Sequence, residues 1–182
     1  YEALPLYQVT KQSDVVTLMC LLPEEFSQQE REAAYRFYEP RTAHDSSLSY
    51  APYGWLAARI GLDEEAYRYF TQCAYLDIAD TKLNTVSGLH YANFGGTWQA
   101  AVFGFAGLSL ENGVLHLHPR LPAAWNGLHM AFWYRGTRLE ADIRRDRCVL
   151  TAEDIRQEIP VCIGTAERLL SPSCPAVECP LE

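Results

Sequence analysis

The sequence predicts an α+β chain in two blocks, about five antiparallel helices followed by a small all-β domain. Three observations carry that prediction. Apolar residues recur every three or four positions up to about Gly107, and they alternate every second position after it. Asn-Gly, Arg-Gly and Asp-Arg pairs then punctuate the second block where tight turns are needed.

In the helical block, Val15, Val16, Leu18, Met19 and Leu22 form a broad apolar face after the polar pair Lys11-Gln12, predicting a first helix. Ser27 with Glu30 three residues later is a capping box, so a second helix is expected to run to about Tyr38 and stop before Pro40. Residues 47–60 predict a third, closed by Gly61, with Ser46 and Ser47 at its start. Asp63 caps a fourth that places Ala66, Phe70, Cys73 and Ala74 on one face. Residues 89–106 predict a fifth, apolar all round and therefore expected to have neighbours on every side. Gly95-Gly96 weakens that helix intrinsically, so close backbone packing or a ligand is expected there. Helix pairs on short loops fit a helical array or toroid, yet five helices do not close a ring.

In the second block, Asn112-Gly113 is a type I′ turn signal ahead of an alternating run at 114–118. Strands are predicted at 128–134, 138–143 and 148–151, with turns at Arg135-Gly136 and Asp146-Arg147, and short ones at 161–163 and 168–170. The chain thus divides into residues 1–107, a sheet domain at 108–170, and a tail at 171–182, SPSCPAVECPLE, expected to be disordered. Cys20 and Cys73 fall inside apolar helical patterns, where a thiol acts as a small hydrophobe. Cys174 and Cys179, spaced C-x4-C, match common zinc spacings poorly and are expected to be exposed and reactive, in a reducing compartment.

A formal charge of −8 argues against nucleic acid as a partner, because such proteins carry a basic face. It also gives no reason to expect attraction to an anionic membrane. Residues 89–110 lack Lys, Arg, Asp and Glu, but His90, Asn93, Thr97 and Gln99 favour a buried helix over a membrane span. The first residues show no basic segment leading into an apolar one, and the expectation is a cytoplasmic protein. A start at Tyr1 without methionine is expected of a processed product or a piece of something longer.

Residues 39–55 place His44, Asp45 and three serines within six positions. A serine hydrolase would need an elbow such as G-x-S-x-G, and Ser46, Ser47 and Ser49 lack it. For a metal, His116 and His118 share one strand face and His129 lies on a later strand, but no carboxylate matches their spacing, and no metal is expected. An anion cradle is open to Ser46 and Ser47, since a helix start offers unpaired N–H groups and the hydroxyls add donors. The plainer alternative is a helix cap by Asp45 or Ser46. Lys11-Gln12 offers donors and an acceptor to sugar hydroxyls, or is simply a solvated helix start. Gly88-Leu89-His90 is a turn with a histidine at the mouth of the fifth helix.

Four stretches taken in order narrow these alternatives. TKQSDVV, YEPRTAHDSSLS, SGLHYANFGGTWQAAVFGFAGLSLENGVLHLHPRLPAAW and YRGTRLEADI resemble the C-terminal part of glycoside hydrolase family 65, the maltose, trehalose and kojibiose phosphorylases. The similarity runs from Val9 to about Ile143. It implies the last helices of an (α/α)6 barrel up to about Gly107, followed by a small C-terminal β-sandwich.

The resemblance further implies reversible phosphorolysis of an α-glucosidic bond with inversion, releasing β-glucose 1-phosphate. Residue by residue, it assigns Ser46, Ser47 and His90 as phosphate ligands, with His44 of the same loop binding directly or shaping it. Lys11 and Gln12 match positions that hold the glucosyl unit. The family's general acid, a glutamate, is expected upstream of this chain, and Asp14, Glu39 and Asp45 do not match it. The chain alone is therefore expected to be inactive, holding the phosphate half of a site. No cofactor is implied; the partners are an α-linked glucosyl disaccharide and inorganic phosphate, with a homodimer or self-association through exposed helix faces. An α-glucoside hydrolase of the same family is the nearest alternative, and a noncatalytic carbohydrate- or partner-binding module the more distant one.

Overall fold

The computed structural model describes residues 8–181, and the chain splits into two compact units, Tyr1–Gly104 and Phe105–Glu182. The first is helical: α1 (Asp14–Leu21), α2 (Gln28–Tyr38), α3 (Tyr50–Ile60), α4 (Asp63–Tyr75) and α5 (Tyr91–Gln99). At the start of α2 the Ser27 side chain accepts from the Glu30 N–H while the Glu30 carboxylate accepts from the Ser27 N–H, the reciprocal capping box. Gly61 ends α3 in the left-handed conformation, where a side chain would be strained.

The third helix starts later than its apolar pattern implies, at Tyr50 rather than near Ser47. Pro52 is the reason. Only the first four N–H groups of a helix lack an internal acceptor, so proline is tolerated there and not deeper. Ser46 to Ser49 instead form a turn, closed by the Ser49 N–H on the Ser46 carbonyl at 3.3 Å.

Helix α3 is the hub of this unit and packs against α1, α2, α4 and α5. It buries Ala51, Tyr53, Gly54, Leu56, Ala57, Ala58 and Ile60. Small residues permit the close approach: a Cβ on Gly54 would sit 3.2 Å from the Tyr69 Cβ, and one on Gly96 only 2.7 Å from the Ala51 Cβ. Gly96 is thus explained by packing of α5 on α3, whereas Gly95 faces open space. Helix α4 buries Ala66, Tyr69, Cys73 and, just past its end, Leu76. Tyr69 therefore takes the inward position that the sequence pattern offered to Phe70.

Within this chain helix α5 buries Asn93 and Gly96, while Tyr91 is 78% exposed and Trp98 and Phe94 are exposed too. It widens into a π-helical stretch at Ala100–Phe105. Among the described residues, no helix is long and apolar enough to cross a membrane.

The second unit holds two four-stranded sheets, one ordered β1-β2-β6-β7 and the other β3-β4-β5-β8. Their strands are β1 (Leu108–Glu111), β2 (Val114–Leu117), β3 (Gly127–Tyr134), β4 (Thr137–Arg144), β5 (Arg147–Glu153), β6 (Ile159–Ile163), β7 (Ala166–Leu170) and β8 (Ala176–Pro180). Pairing is antiparallel except between β2 and β6. Alternation places Leu139, Ala141 and Ile143 of β4 and Cys148, Leu150 and Ala152 of β5 in the core. Leu115, Leu117, Ile159, Val161 and Ile163 do the same for the other sheet.

The tail is not the disordered end its Pro-rich composition implies. Strand β8 pairs with β5, Cys148 opposite Cys179 and Leu150 opposite Val177, and buries Val177 and Cys179. Alternating apolar residues joining a sheet edge outweigh composition here. Consequently Cys174 is exposed as expected, but Cys179 is buried, and both thiols are free. Burial pushes the Cys73 and Cys148 thiols up to about 12, which keeps them unreactive hydrophobes.

Candidate anion site on two helix-linking loops

Residues 41–49, between α2 and α3, form the first loop. Its base is stitched to the segment carrying Lys11 and Gln12: the Thr10 N–H donates to the Arg41 carbonyl and the Ala43 N–H to the Thr10 carbonyl, both at 2.9 Å. Thr42 Oγ1 donates to the Tyr38 carbonyl and so accepts from Thr10 Oγ1 at 2.8 Å and Tyr53 Oη at 2.6 Å. These bonds fix where Lys11 and Gln12 leave the core. Lys11 itself is exposed and Gln12 half-buried.

His44 sits in this loop with φ of 51°, a left-handed conformation uncommon for histidine. Its ring packs against Tyr50, Tyr53 and Tyr69, with centroids 5.9, 4.9 and 5.3 Å away. Burial pushes its pKa down and the cations Arg68 and Lys82 push the same way, while Glu39 offsets part of this. Tyr69 Oη donates to Glu39 at 2.7 Å and stands 3.2 Å from His44 Nε2. Ser49 Oγ donates to the Ser46 carbonyl at 3.0 Å and stands 3.1 Å from His44 Nδ1. Glu39 ends the chain, paired with Arg68 at 3.2 Å. Both ring nitrogens of His44 are thereby committed.

Beyond His44 lies the Ser46–Ser49 turn. Ser46 Oγ accepts the Leu48 N–H at 3.3 Å and Ser49 is buried against His44, while Ser46 and Ser47 are both half-buried. A groove of about 440 Å³ runs beside Glu39 and Arg68, and none of the sequence-assigned ligands lines it.

Residues 76–90, between α4 and α5, form the second loop. Asp80 folds it by accepting the N–H groups of Asn84 and Thr85 at 2.9 and 3.0 Å. Asp77 grips its far end: one carboxylate oxygen accepts the His90 backbone N–H at 2.8 Å and the other accepts His90 Nδ1–H at 2.6 Å. Burial pushes the Asp77 carboxyl up, but the hydrogen bonds from the His90 side chain and backbone outweigh it and hold it below its usual value. The Asp77 side chain is 4% exposed and that of His90 is 23% exposed. With Nδ1 turned to Asp77, Nε2 is the nitrogen left for a ligand.

Lys82 joins the two loops. Its Nζ donates to the His44 carbonyl at 3.0 Å and lies 5.2 Å from the Tyr50 ring centroid. Ser46, Ser47 and His90 thus stand on loops that are tied to each other, with the Lys11-Gln12 segment tied to the first. Asp77 and Lys82 escaped the sequence reading. Their only signal there is a polar loop between a helix and the Gly-Leu-His turn, which does not say which carboxylate reaches back.

The histidines of the second unit do not converge. His116 and His118 stack with centroids 5.6 Å apart beside the buried Leu115 and Leu117. His129 stands on β3 of the other sheet, 3.8 Å from Glu140. Among the described residues no group of three His, Cys, Asp or Glu could hold a metal ion.

Comparison with known proteins adds a lineage to this geometry. Residues 1–99 match the model of the glycosyl hydrolase family 65 central catalytic domain, and residues 108–167 match that of the family's C-terminal domain. The kojibiose phosphorylase of Caldanaerobacter subterraneus subsp. tengcongensis is 38% identical over 164 residues, 90% of this chain and 21% of that protein. The α,α-trehalose phosphorylase of Thermoanaerobacter brockii is 41% identical over 143 residues, 79% of this chain and 18% of its own length. The chain thus spans about a fifth of these curated relatives. A solved structure assigned as a kojibiose phosphorylase from the human microbiome superposes with a TM-score of 0.89 at 30% identity, covering 100% of this chain and 28% of that one. The chain belongs to glycosyl hydrolase family 65, to the part of it that joins the central catalytic domain to the C-terminal domain.

Proposed function

We propose that this chain is the carboxyl-terminal portion of an inverting α-glucoside phosphorylase and holds the phosphate half of its active site. The observation that carries the reading is the pair of tied loops, one presenting Ser46 and Ser47 and the other presenting His90 with Nδ1 committed to Asp77. Relatives that act as kojibiose and trehalose phosphorylases support it. In this reading the five helices are the last of an (α/α)6 barrel, and the two sheets are its C-terminal β-sandwich.

The chemistry follows from the nucleophile. An inverting hydrolase needs a carboxylate base to activate water opposite the leaving group. Phosphate is already an anion, so it needs donors that hold it in line with the anomeric carbon, and a base carboxylate there would repel it. Ser46, Ser47 and His90 are the donors, His44 shapes the loop that carries the serines, and Lys11 and Gln12 hold the glucosyl unit. As the phosphate oxygen bonds to the anomeric carbon, the glycosidic C–O bond breaks with inversion. The leaving sugar oxygen takes its proton from a glutamate on an earlier helix of the full protein. The phosphate is a co-substrate, and no cofactor enters. Without that glutamate the chain by itself is inactive.

The test uses the full-length protein on maltose, trehalose, kojibiose and nigerose, with and without phosphate. Cleavage is expected to require phosphate and to release β-glucose 1-phosphate; cleavage that proceeds equally without phosphate would overturn the reading in favour of a hydrolase. Replacing Ser46 and Ser47 by Ala is expected to raise the KM for phosphate far more than that for the disaccharide.

A further inference from the structure

The contact between Asp77 and His90 uses more of the carboxylate than loop folding requires. One oxygen is enough to satisfy the His90 backbone N–H, and Oδ2 does that at 2.8 Å. The second oxygen takes the ring's Nδ1–H at 2.6 Å. Turning the ring out to solvent would have relieved the loop of this second bond. Instead the ring is clamped at two points to a side chain only 4% exposed.

That clamp decides what Nε2 can do. With Nδ1–H held by a carboxylate, a neutral ring shows a bare lone pair at Nε2, which repels an anion. A protonated ring shows an N–H donor there, and the Asp77 carboxylate is its counter-charge. Asp80, the other carboxylate of this loop, is occupied by the Asn84 and Thr85 N–H groups.

We infer that Asp77 is a positioning residue for phosphate: it fixes the His90 ring with Nδ1 inward, so that Nε2 is the ring nitrogen turned to a phosphate oxygen. This rests on the phosphorylase reading. Loosening the ring then raises the KM for phosphate while that for the disaccharide does not follow.

The experiment compares wild type, Asp77→Asn, His90→Ala and the double variant in the full-length enzyme, measuring both KM values and kcat. Asp77→Asn is expected to raise the phosphate KM on the order of tenfold, by analogy with the loss of partners that orient ligand histidines. The disaccharide KM stays within about twofold. Because Asp77 acts through His90, the double variant is expected to be no worse for phosphate than His90→Ala alone. A double variant much worse than His90→Ala, or an equal rise in both KM values for Asp77→Asn, marks loop damage and overturns the inference. So does an unchanged phosphate KM in Asp77→Asn when His90→Ala raises it. The phosphorylase reading fails separately, through phosphate-independent cleavage by the wild type or a phosphate KM indifferent to His90→Ala.

Discussion

His44 and His90 stand on two neighbouring interhelical loops that a single lysine ties together, yet their surroundings give them opposite duties. His44 is enclosed by three tyrosines, and both its nitrogens are consumed in a chain running from Ser49 to Glu39. Among the described residues, His90 is held at one nitrogen, by a buried carboxylate. A histidine among aromatic rings is kept neutral and serves as a strut. One clamped at a single nitrogen turns the other outward and serves as a hand. Sequence reasoning placed both in one ligand set because spacing along the chain says nothing about which nitrogens are already occupied.

The sharpest way to break this comparison is to remove the wall of the His44 chamber. Tyr69 is 2% exposed, packs on Tyr53 and carries the bond to Glu39. Tyr69→Ala is expected to cost about 3–5 kcal/mol, as large aromatic truncations in a core do. His90→Ala, at a partly exposed ring, is expected to cost far less stability and to act on phosphate binding instead. Urea unfolding of the intact protein and its variants measures both. Equal losses of stability would mean that the two loops are the same kind of structure.

Acid separates the two histidine settings more gently. Burial lowers the His44 pKa below its ordinary 6.5, so as pH falls the unfolded chain takes up that proton before the folded one. The stability due to neutral His44 is therefore complete above about pH 6.5 and is lost as pH falls through 6.5 toward the lower folded value. Asp77 is lowered from 3.8, so its contribution is complete above about pH 3.8 and is lost only below it. Between pH 7.5 and 5.5, His44→Asn is expected to flatten the decline in unfolding midpoint, since asparagine tolerates the left-handed backbone at that position. A decline unchanged by His44→Asn would place the titrating group elsewhere.

What could be read in advance follows from the range of the forces involved. The capping box at Ser27 and Glu30 and the stop at Gly61 are local, and both are legible in four or five residues. The late start of α3 is local too, and Pro52 would have revealed it. Strand β8 is different: Val177 and Cys179 alternate correctly, but only pairing with β5 makes an ordered strand of a Pro-rich segment. In the candidate site Ser46, Ser47 and His90 were legible as residue types at turns. Asp77 was not, because the ring it holds lies thirteen positions further along the chain, and the fold of that loop on Asp80 brings them together.

The smallest expected effect probes whether the two loops work as one. Lys82→Met keeps the aliphatic stem and removes the Nζ–H bond to the His44 carbonyl, along with the charge near the Tyr50 ring. That carbonyl also accepts from Tyr50 Oη at 3.1 Å, so it is not orphaned, and the stability lost is expected to stay below about 1 kcal/mol. Losing a cation beside His44 also lets that ring protonate slightly more easily, so less stability is lost as pH falls. The consequence for the site is geometric. Ser46 and Ser47 are placed relative to His90 through this cross-link, through the contact of His44 with Tyr69 of α4, and through the packing of α3 on α4 and α5. If the cross-link sets their spacing, the phosphate KM rises roughly two- to fivefold, as expected for one modest hydrogen bond, with the disaccharide KM unmoved. If helix packing alone sets it, Lys82→Met leaves the phosphate KM where it was. The contrast between a sealed and an open histidine would then belong to two loops that merely touch.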